Sequence, residues 1–442
     1  MDEKECSSLI NKLYHKGVAR PGIEREVANT FPMHCFDNWR PFNIDDYNRA
    51  LSQVSMKKFR LYFHTPFCES RCKFCIYDVT VRANVKTQED YIKSVKRQFN
   101  HLQNNIQSVN SIYFGGGTPS YLEDSLFEEY LSLPLSIPLE EGYSFNVEAK
   151  PGTLTDSKVE IMKKLGVNRI SLGIQTLDDK LLKKLNRSHN SKDSIETIHK
   201  ISQNNLYFNT DLIYGFPDQS VESSLKDLRK LIDLGVPEFT LYYLRINPKT
   251  GLRHFNIHMG NQIYCFSQLK KILVNSDYVQ TRPIHFVKKD FVENSNRYGS
   301  APTSDQGQYS QEKETNVSGG RVFAFGAPGA VSHIRDYLWE SAPIKEYKNL
   351  VNLKKVPGYR QYKIFEDDKD TRFFIDFIQS MKSQNIEQTY MSKRGRNLPE
   401  KFKRKINRLL DLNLFEKRDE EISLTEKGFL VHDMIERFFY RI

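Results

Sequence analysis

Beginning near residue 59, short apolar runs rich in β-branched and aromatic side chains alternate with longer amphipathic stretches. The short runs, at 59–64, 111–114, 144–148, 169–173, 207–214 and 238–244, read as strands, and the stretches between them as helices. One helix starts at Thr155, a side chain suited to an N-cap, and stops at Gly166; another stops at Gly235. Leu165-Gly166-Val167 and Leu234-Gly235-Val236 repeat this stop, each followed by a strand. Strand and helix in regular alternation with short links imply an α/β fold with a parallel sheet, either doubly wound or a partial barrel of six units.

The flanking segments read differently. Residues 1–58 form an N-terminal extension with few regular patterns, apart from a helix at 44–52 capped by Asn43. Residues 59–250 hold the alternating core, and 251–365 complete it and link onward. Within that link, 280–320 reads as a long loop, with turns at Ser300-Ala301-Pro302-Thr303-Ser304 and Gly319-Gly320, and 325–330 as a tight turn near the pocket. Residues 366–442 read as a small winged-helix-like unit, with helices at 373–381 and 399–410, a charged hairpin, and a last helix capped by Thr425 and running to Phe439.

The polar residues locate a site. A cysteine-bearing loop follows the first strand, Gly115-Gly116-Gly117-Thr118-Pro119 the second, and Glu148 ends the third. Gln175 follows the fourth, Asp211 and Tyr214 fall late in the fifth, and Tyr242 and Tyr243 late in the sixth. All lie toward the carboxyl ends of strands, the edge at which parallel sheets and barrels hold ligands.

Composition sets the class. The 442 residues are 39% hydrophobic and contain no run of 18 apolar residues, so no membrane span is expected. The acidic, polar start lacks the regions of a secretory signal, and the expected location is the cytoplasm. Lysine and arginine exceed aspartate and glutamate to give +10, read as a diffuse lysine excess. Lys393, Arg394, Arg396, Lys401, Lys403, Arg404, Lys405 and Arg408 concentrate that excess near one C-terminal helix. Such a patch can meet nucleic acid, but a small unit that closes the side of a barrel is the preferred reading.

Of six cysteines, Cys68, Cys72 and Cys75 crowd into C-x3-C-x2-C, while Cys6, Cys35 and Cys265 read as ordinary thiols. A structural zinc would gather four ligands in two pairs, and no second Cys or His pair has matching spacing; His64, on an alternating strand, is read as pointing away. Three thiolates suit a 4Fe-4S cluster with one iron left open. That iron can carry electrons or can bind the amino and carboxylate groups of S-adenosylmethionine, whose carbon–sulfur bond the reduced cluster would break to release a 5′-deoxyadenosyl radical. Three consecutive glycines allow backbone to approach such a ligand. Glu148 can accept from ribose hydroxyls, Arg187 can pair with a carboxylate, and Asp211, beside an apolar run, needs a pocket partner.

Five motifs occur in order: 62–75, Gly115 to Ser120, Asn146 to Gly152, Gly166 to Gln175, and Asp211 to Pro217. Together they resemble the radical S-adenosylmethionine enzymes of the oxygen-independent coproporphyrinogen III oxidase type over roughly residues 58–250. The resemblance implies a partial (β/α)6 barrel, a 4Fe-4S cluster on Cys68, Cys72 and Cys75, and S-adenosylmethionine on its open iron. Tyr62, Phe74, Gly116 and Glu148 would contact that molecule. Gly117, Thr118, Gln175, Arg187 and Asp211 would contact a second one, and Tyr62, Glu148 and Asp211 are the catalytic candidates. Members of this family decarboxylate porphyrinogens, carry heme, open heme, or methylate and cyclopropanate natural-product precursors. The porphyrinogen branch typically has a further cysteine where this chain has Tyr77, and the heme chaperone starts close to its cluster motif, whereas about sixty residues precede it here. The expectation is a radical enzyme that takes electrons from a donor such as flavodoxin or ferredoxin and acts on a tetrapyrrole or natural-product precursor. A heme carrier, with His254, His258, His285 or His333 as axial ligand, is the alternative.

Overall fold

The computed structural model describes residues 1–19, 39–54, 58–246, 250–252, 257–298 and 321–440. The six expected strands are present: β1 (Lys58–Thr65), β2 (Ser108–Gly116), β3 (Leu139–Ala149), β4 (Arg169–Gln175), β5 (Phe208–Tyr214) and β6 (Glu238–Tyr243). They stand side by side in chain order, all parallel. The long loop expected at 280–320 is replaced in part by regular structure. A hairpin of β7 (Tyr278–Arg282) and β8 (His285–Lys288) pairs antiparallel to β6, and a helix occupies Val292–Tyr298. Only Phe286 and Val287 of β8 are fully buried, too short an apolar run to announce a strand. The turns at 300–304 and Gly319-Gly320 lie outside the described residues, as do Cys35 and His254.

Beyond β1 the sheet continues through β9 (Arg321–Phe325), parallel to it, then antiparallel through β10 (Val331–Ile334), β11 (Tyr337–Ser341) and β12 (Gly358–Lys363) to a short bridge at Arg40–Pro41, thirteen strands in all. Alternation along β1 to β6 separates two faces. Phe59, Leu61, Phe63, Ile112, Phe114, Phe145, Val147, Ile170, Leu172, Phe208, Leu212, Phe239 and Leu241 share one core with the surrounding helices. Each such side chain stabilises the fold by about 1.5–3 kcal/mol when fully buried. Phe63 stacks on Phe114 at 4.5 Å and on Phe325 at 4.9 Å, tying β9 to the centre.

The other face is polar: Arg60, Tyr62 and His64 on β1, Ser111 and Tyr113 on β2, Asn146 and Glu148 on β3, Arg169 and Ser171 on β4, Asn209 and Asp211 on β5, and Glu238 and Thr240 on β6. Seven strand-to-strand steps separate β1 from β7, roughly 34 Å in a flat sheet. Yet Arg60 on β1 acts electrostatically on Arg282 on β7. The sheet therefore curls, and its polar face lines a concave lumen.

The C-terminal helices close that lumen. Helix Glu366–Ser380 touches β7, and its Ile375, together with Tyr440, packs on Leu338 of β11 and Tyr362 of β12. Helix Glu400–Asp411 and the hairpin 415–418/421–424 match expectation, but Ile386–Arg394 is a further helix, and the last expected helix is split at Val431 into Glu426–Leu430 and His432–Tyr440. The N-terminal segment also departs from expectation. Besides the helix Ile44–Ser52 capped by Asn43, it forms Glu3–His15, with Asp2 and Glu5 in a capping box. Cys6, Leu9, Ile10 and Leu13 are buried in the same cluster as the C-terminal unit. No helix among the described residues is long and apolar enough to cross a membrane.

Candidate active site

The cysteine loop leaves the carboxyl end of β1 and is clamped from three sides. Gly117 N–H donates to the Thr65 carbonyl at 2.6 Å and Thr118 N–H to that of Phe67 at 2.8 Å, joining it to the glycine turn. Lys73 N–H donates to the Leu185 carbonyl at 3.0 Å, and the Lys73 carbonyl accepts from Gly251 N–H at 3.0 Å. Cys68, Cys72 and Cys75 are half-buried on this loop. Thr118 Oγ1 stands 3.5 Å from Cys68 Sγ, and Arg187 donates to Cys72 Sγ at 3.4 Å. Burial pushes the Cys68 thiol up, and that of Cys75 up to about 11.

The glycine turn is shaped by contact. Gly116 has φ +108°, a conformation that side chains rarely adopt, and a Cβ there would meet the His64 ring at 2.6 Å. At Gly117 a Cβ would meet the Phe67 and Thr65 carbonyl oxygens at 2.6 and 2.8 Å and Cys68 Sγ at 3.0 Å. The strands thus place Gly116, Gly117 and Thr118 directly against the cysteine loop. His64 points into the lumen: its Nδ1 lies 3.0 Å from Tyr62 Oη, while its buried Nε2 meets no partner among the described residues.

Glu148 sits beneath the turn. Its carboxylate accepts from Tyr113 Oη at 2.6 Å and from Gly116 N–H at 3.1 Å. Burial nevertheless raises it from the ordinary 4.5 to about 7, with the charge of Asp211 adding to the effect. Asp211 is raised to about 6 by burial, against the opposing pull of Arg169 and hydrogen bonds from Ser171 at 3.2 Å and Asn209 at 2.8 Å. Tyr62 stacks on Tyr113 with centroids 6.1 Å apart. Tyr113 was not among the residues singled out from the sequence; its place two residues from Gly115 on an alternating strand was the available signal.

Arg187 and Gln175 take positions the sequence reading did not anticipate. The Arg187 guanidinium bridges Cys72 Sγ and the Gly173 carbonyl, and its buried Nε has no partner among the described residues. Gln175 has φ +73°, where the β4–β5 register slips, so the strand ends in a kink that brings its amide over Gly173. Phe74 packs 6.2 Å from Phe216, within an apolar cluster including Leu181, Leu244 and Leu252. Of the candidate axial histidines, His258 is exposed at a helix start. His285 Nδ1 lies 3.3 Å from Thr240 Oγ1, and His333 Nε2 lies 2.9 Å from the Arg335 carbonyl.

The donor set suits the expected groups. Among the described residues no three His, Cys, Asp or Glu side chains converge on a single metal-ion position. Thiolates of an iron-sulfur cluster each take a separate iron and need no such convergence. The orphaned atoms of His64 and Arg187, the backbone cradle at Gly116 and Gly117, and the paired carboxyls of Glu148 and Asp211 together fit a polar, amino-acid-bearing ligand beside the loop.

Residues 62–232 match the Radical SAM superfamily, and the chain carries a radical SAM domain. It is 35% identical over 228 residues to the heme chaperone HemW of Buchnera aphidicola from Acyrthosiphon pisum, covering 49% of this chain but only 60% of that relative. To HemW of Lactococcus lactis it is 29% identical over 397 residues, 85% of this chain and 96% of the relative. To the oxygen-independent coproporphyrinogen III oxidase of Cereibacter sphaeroides it is 24% identical over 330 residues, 70% of each chain. Among solved structures, the coproporphyrinogen III oxidase HemN of Escherichia coli, a radical SAM enzyme, superposes with a TM-score of 0.77, 19% identity, and coverage of 93% of this chain and 96% of its own. At that identity the likeness bears on the fold.

Proposed function

We propose that this chain holds a 4Fe-4S cluster on Cys68, Cys72 and Cys75, binds S-adenosylmethionine beside it, and uses the pair on a tetrapyrrole-like organic substrate. When bound, the reduced cluster supplies the electron that cleaves S-adenosylmethionine to methionine and a 5′-deoxyadenosyl radical. The observation that carries this reading is the convergence of the cysteine loop, the glycine turn, Glu148 and Asp211 at one edge of a polar lumen within a radical SAM domain. Gly116 and Gly117, whose N–H groups are taken by Glu148 and the Thr65 carbonyl, would give the ligand's amino-acid end a surface free of side chains, and Glu148, ionised above about pH 7, would accept from its ribose. Tyr113 fixes that carboxylate, Thr118 and Arg187 stand against the Cys68 and Cys72 sulfurs that would hold the cluster, and Tyr62 and Phe74 would flank the cofactor. The helices Glu366–Ser380 and His432–Tyr440 exclude water from the lumen, which a radical requires. A second S-adenosylmethionine would take Gln175 and Asp211, and a ferredoxin or flavodoxin would deliver the electron.

Heme carriage is the second reading, favoured by the naming of six of the first relatives as heme chaperones. Anaerobic reconstitution with iron, sulfide and dithionite separates the two. Mass spectrometry should find 5′-deoxyadenosine, and in the presence of the right substrate either labelled methyl incorporation or loss of carbon dioxide. A cluster-loaded chain that never cleaves S-adenosylmethionine, yet titrates hemin to a tight one-to-one complex, would replace the enzyme with the carrier.

A further inference from the structure

Two residues beyond Glu148 the chain places a cation that the chemistry above does not use. Lys150 is buried, which a lysine tolerates only with partners. Its Nζ donates to a Glu69 carboxylate oxygen at 2.6 Å and to Ser188 Oγ, and its backbone N–H donates to Ser120 Oγ at 3.3 Å. Glu69 directly follows Cys68, Ser188 directly follows Arg187, and Ser120 ends the glycine motif. One ammonium therefore ties the cysteine loop to the segment after helix Asp179–Lys184 and to the end of β3. It also completes a longer seam. Lys73 N–H donates to the Leu185 carbonyl, Ser70 Oγ to the Asn186 carbonyl at 2.9 Å, Asn186 Nδ2 to the Arg71 carbonyl at 2.9 Å, and Arg187 to Cys72 Sγ at 3.4 Å. Residues 185–188 thus run along the loop from Lys73 to Glu69 and set two cations against it, Arg187 at Cys72 and Lys150 beside Cys68.

The pair of Lys150 and Glu69 is lopsided. The lysine side chain is 8% exposed and the glutamate side chain 45%. Water and salt screen the carboxylate end, while the ammonium lies inside, so the pair presents a net positive field to the loop. Against the burial that raises the Cys68 thiol, the charges of Lys150 and Arg187 both pull it down. His189, buried beside them, is driven down to about 3 by burial and by the same two cations, so it brings no charge of its own at neutral pH.

We propose that Lys150 is a positioning residue for the cluster site, which holds the Cys68 end of the loop through Glu69 and Ser188 and supplies a fixed positive charge that favours the reduced cluster. This rests on the reading that Cys68, Cys72 and Cys75 carry a 4Fe-4S cluster, and the test separates the two. Reduction adds one electron, here from dithionite, and so one negative charge, which a poorly screened cation nearby stabilises. The full chain and its variants are reconstituted anaerobically with iron and sulfide, their iron and sulfide are measured, and the potential is titrated with dithionite and mediators by electron paramagnetic resonance. Lys150→Met should lower the equilibrium constant for reduction at least about tenfold, a fall of about 59 mV for one electron. Glu69→Gln removes the opposite charge and should raise the potential, by less because that carboxylate is the screened end. Lys150→Arg keeps the charge and should keep most of the wild-type potential. A role confined to tying loops predicts instead that cutting the pair from either end moves the potential the same way or not at all. Shifts of one sign in Lys150→Met and Glu69→Gln, no shift in Lys150→Met, or a fall in Lys150→Arg equal to that in Lys150→Met overturns the proposal. If Lys150→Met takes up no cluster, Glu69→Gln decides: a raised potential sustains the proposal, and an unchanged or lowered one, or loss of the cluster from this variant too, overturns it. A wild-type chain that takes up no iron and sulfide overturns the cluster reading and this proposal with it, whereas a wild-type cluster whose potential ignores Lys150 overturns the proposal alone.

Discussion

Replacing Glu148 with glutamine should make the ligand-free protein more stable at pH 8, by a margin that disappears toward pH 5. Burial raises the carboxyl from 4.5 to about 7. Between those values the folded chain keeps a proton that the unfolded chain releases, so stability falls as pH rises through the window and the loss is complete above the folded value. The gap corresponds to roughly 3 kcal/mol. Glutamine keeps an acceptor for Tyr113 Oη but presents an amide N–H where Gly116 N–H now finds the second carboxylate oxygen, a loss of about 1 kcal/mol. The variant should therefore gain about 2 kcal/mol at pH 8, a gain that shrinks to about zero at pH 5, where the proton cost to the wild type has fallen below about 1 kcal/mol. Guanidinium unfolding of the apoprotein, followed by circular dichroism at several pH values from 5 to 8, gives the two curves. Asp211 titrates near 6 in both chains and largely cancels in the difference. Parallel curves, or a variant weaker than wild type at pH 8, would refute the reasoning. The same variant should bind S-adenosylmethionine at least about tenfold more weakly, since a ribose hydroxyl then meets a neutral amide. A protein made more stable by a change that weakens its ligand has kept the carboxylate for the ligand.

Removing any one of Cys68, Cys72 or Cys75 as alanine should abolish iron and sulfide uptake on anaerobic reconstitution, whereas alanine at the buried Cys6 or Cys265 should leave both near wild type. Gly117→Ala forces a Cβ to 2.6 Å from the Phe67 carbonyl oxygen and 3.0 Å from Cys68 Sγ, so it should lower the melting temperature, by about 1–3 kcal/mol in stability, and reduce iron content as well. Asp370→Asn strips the charge from a carboxylate that holds Tyr390 Oη at 2.7 Å, Arg394 at 2.9 Å and Arg396 at 2.6 Å. It should cost about 3–5 kcal/mol and expose the C-terminal unit to limited proteolysis before the rest of the chain.

The six central strands were legible because each carries aromatic or β-branched residues on the face that meets the helices, as in Phe59-Arg60-Leu61-Tyr62-Phe63. The site edge was legible for a related reason: chemistry-bearing residues at strand ends are visible as motifs. What escaped were elements whose burial depends on partners far along the chain. Helix Glu3–His15 buries Cys6, Leu9, Ile10 and Leu13, an amphipathic stripe in a segment with otherwise little pattern, against residues more than 240 positions away. The β7–β8 hairpin is polar on one face because that face looks into the lumen, so its sequence resembles a loop. Arg187 was legible as a residue but not in its contact, because nothing in the spacing tells that its guanidinium turns toward Cys72.

The same distinction applies to the basic helix near the C-terminus. Read along the sequence, Lys401, Lys403 and Lys405 form a positive run that can attract a phosphate backbone. In the fold, Lys401 pairs with Asp367 at 3.0 Å, Lys403 with Glu387 at 3.1 Å, and Lys405 donates to the Phe439 carbonyl at 3.1 Å. Arg394 and Arg396 converge on Asp370. These cations are engaged in assembling the unit, and a charge with a fixed carboxylate partner contributes little to counterion release on a polyanion. The unit also makes a polar contact with the barrel: Tyr243 at the end of β6 donates to its Asp433. Its chemistry is thus directed at the mouth and open side of the lumen, which favours a closing wall for the reaction space over an independent binding module.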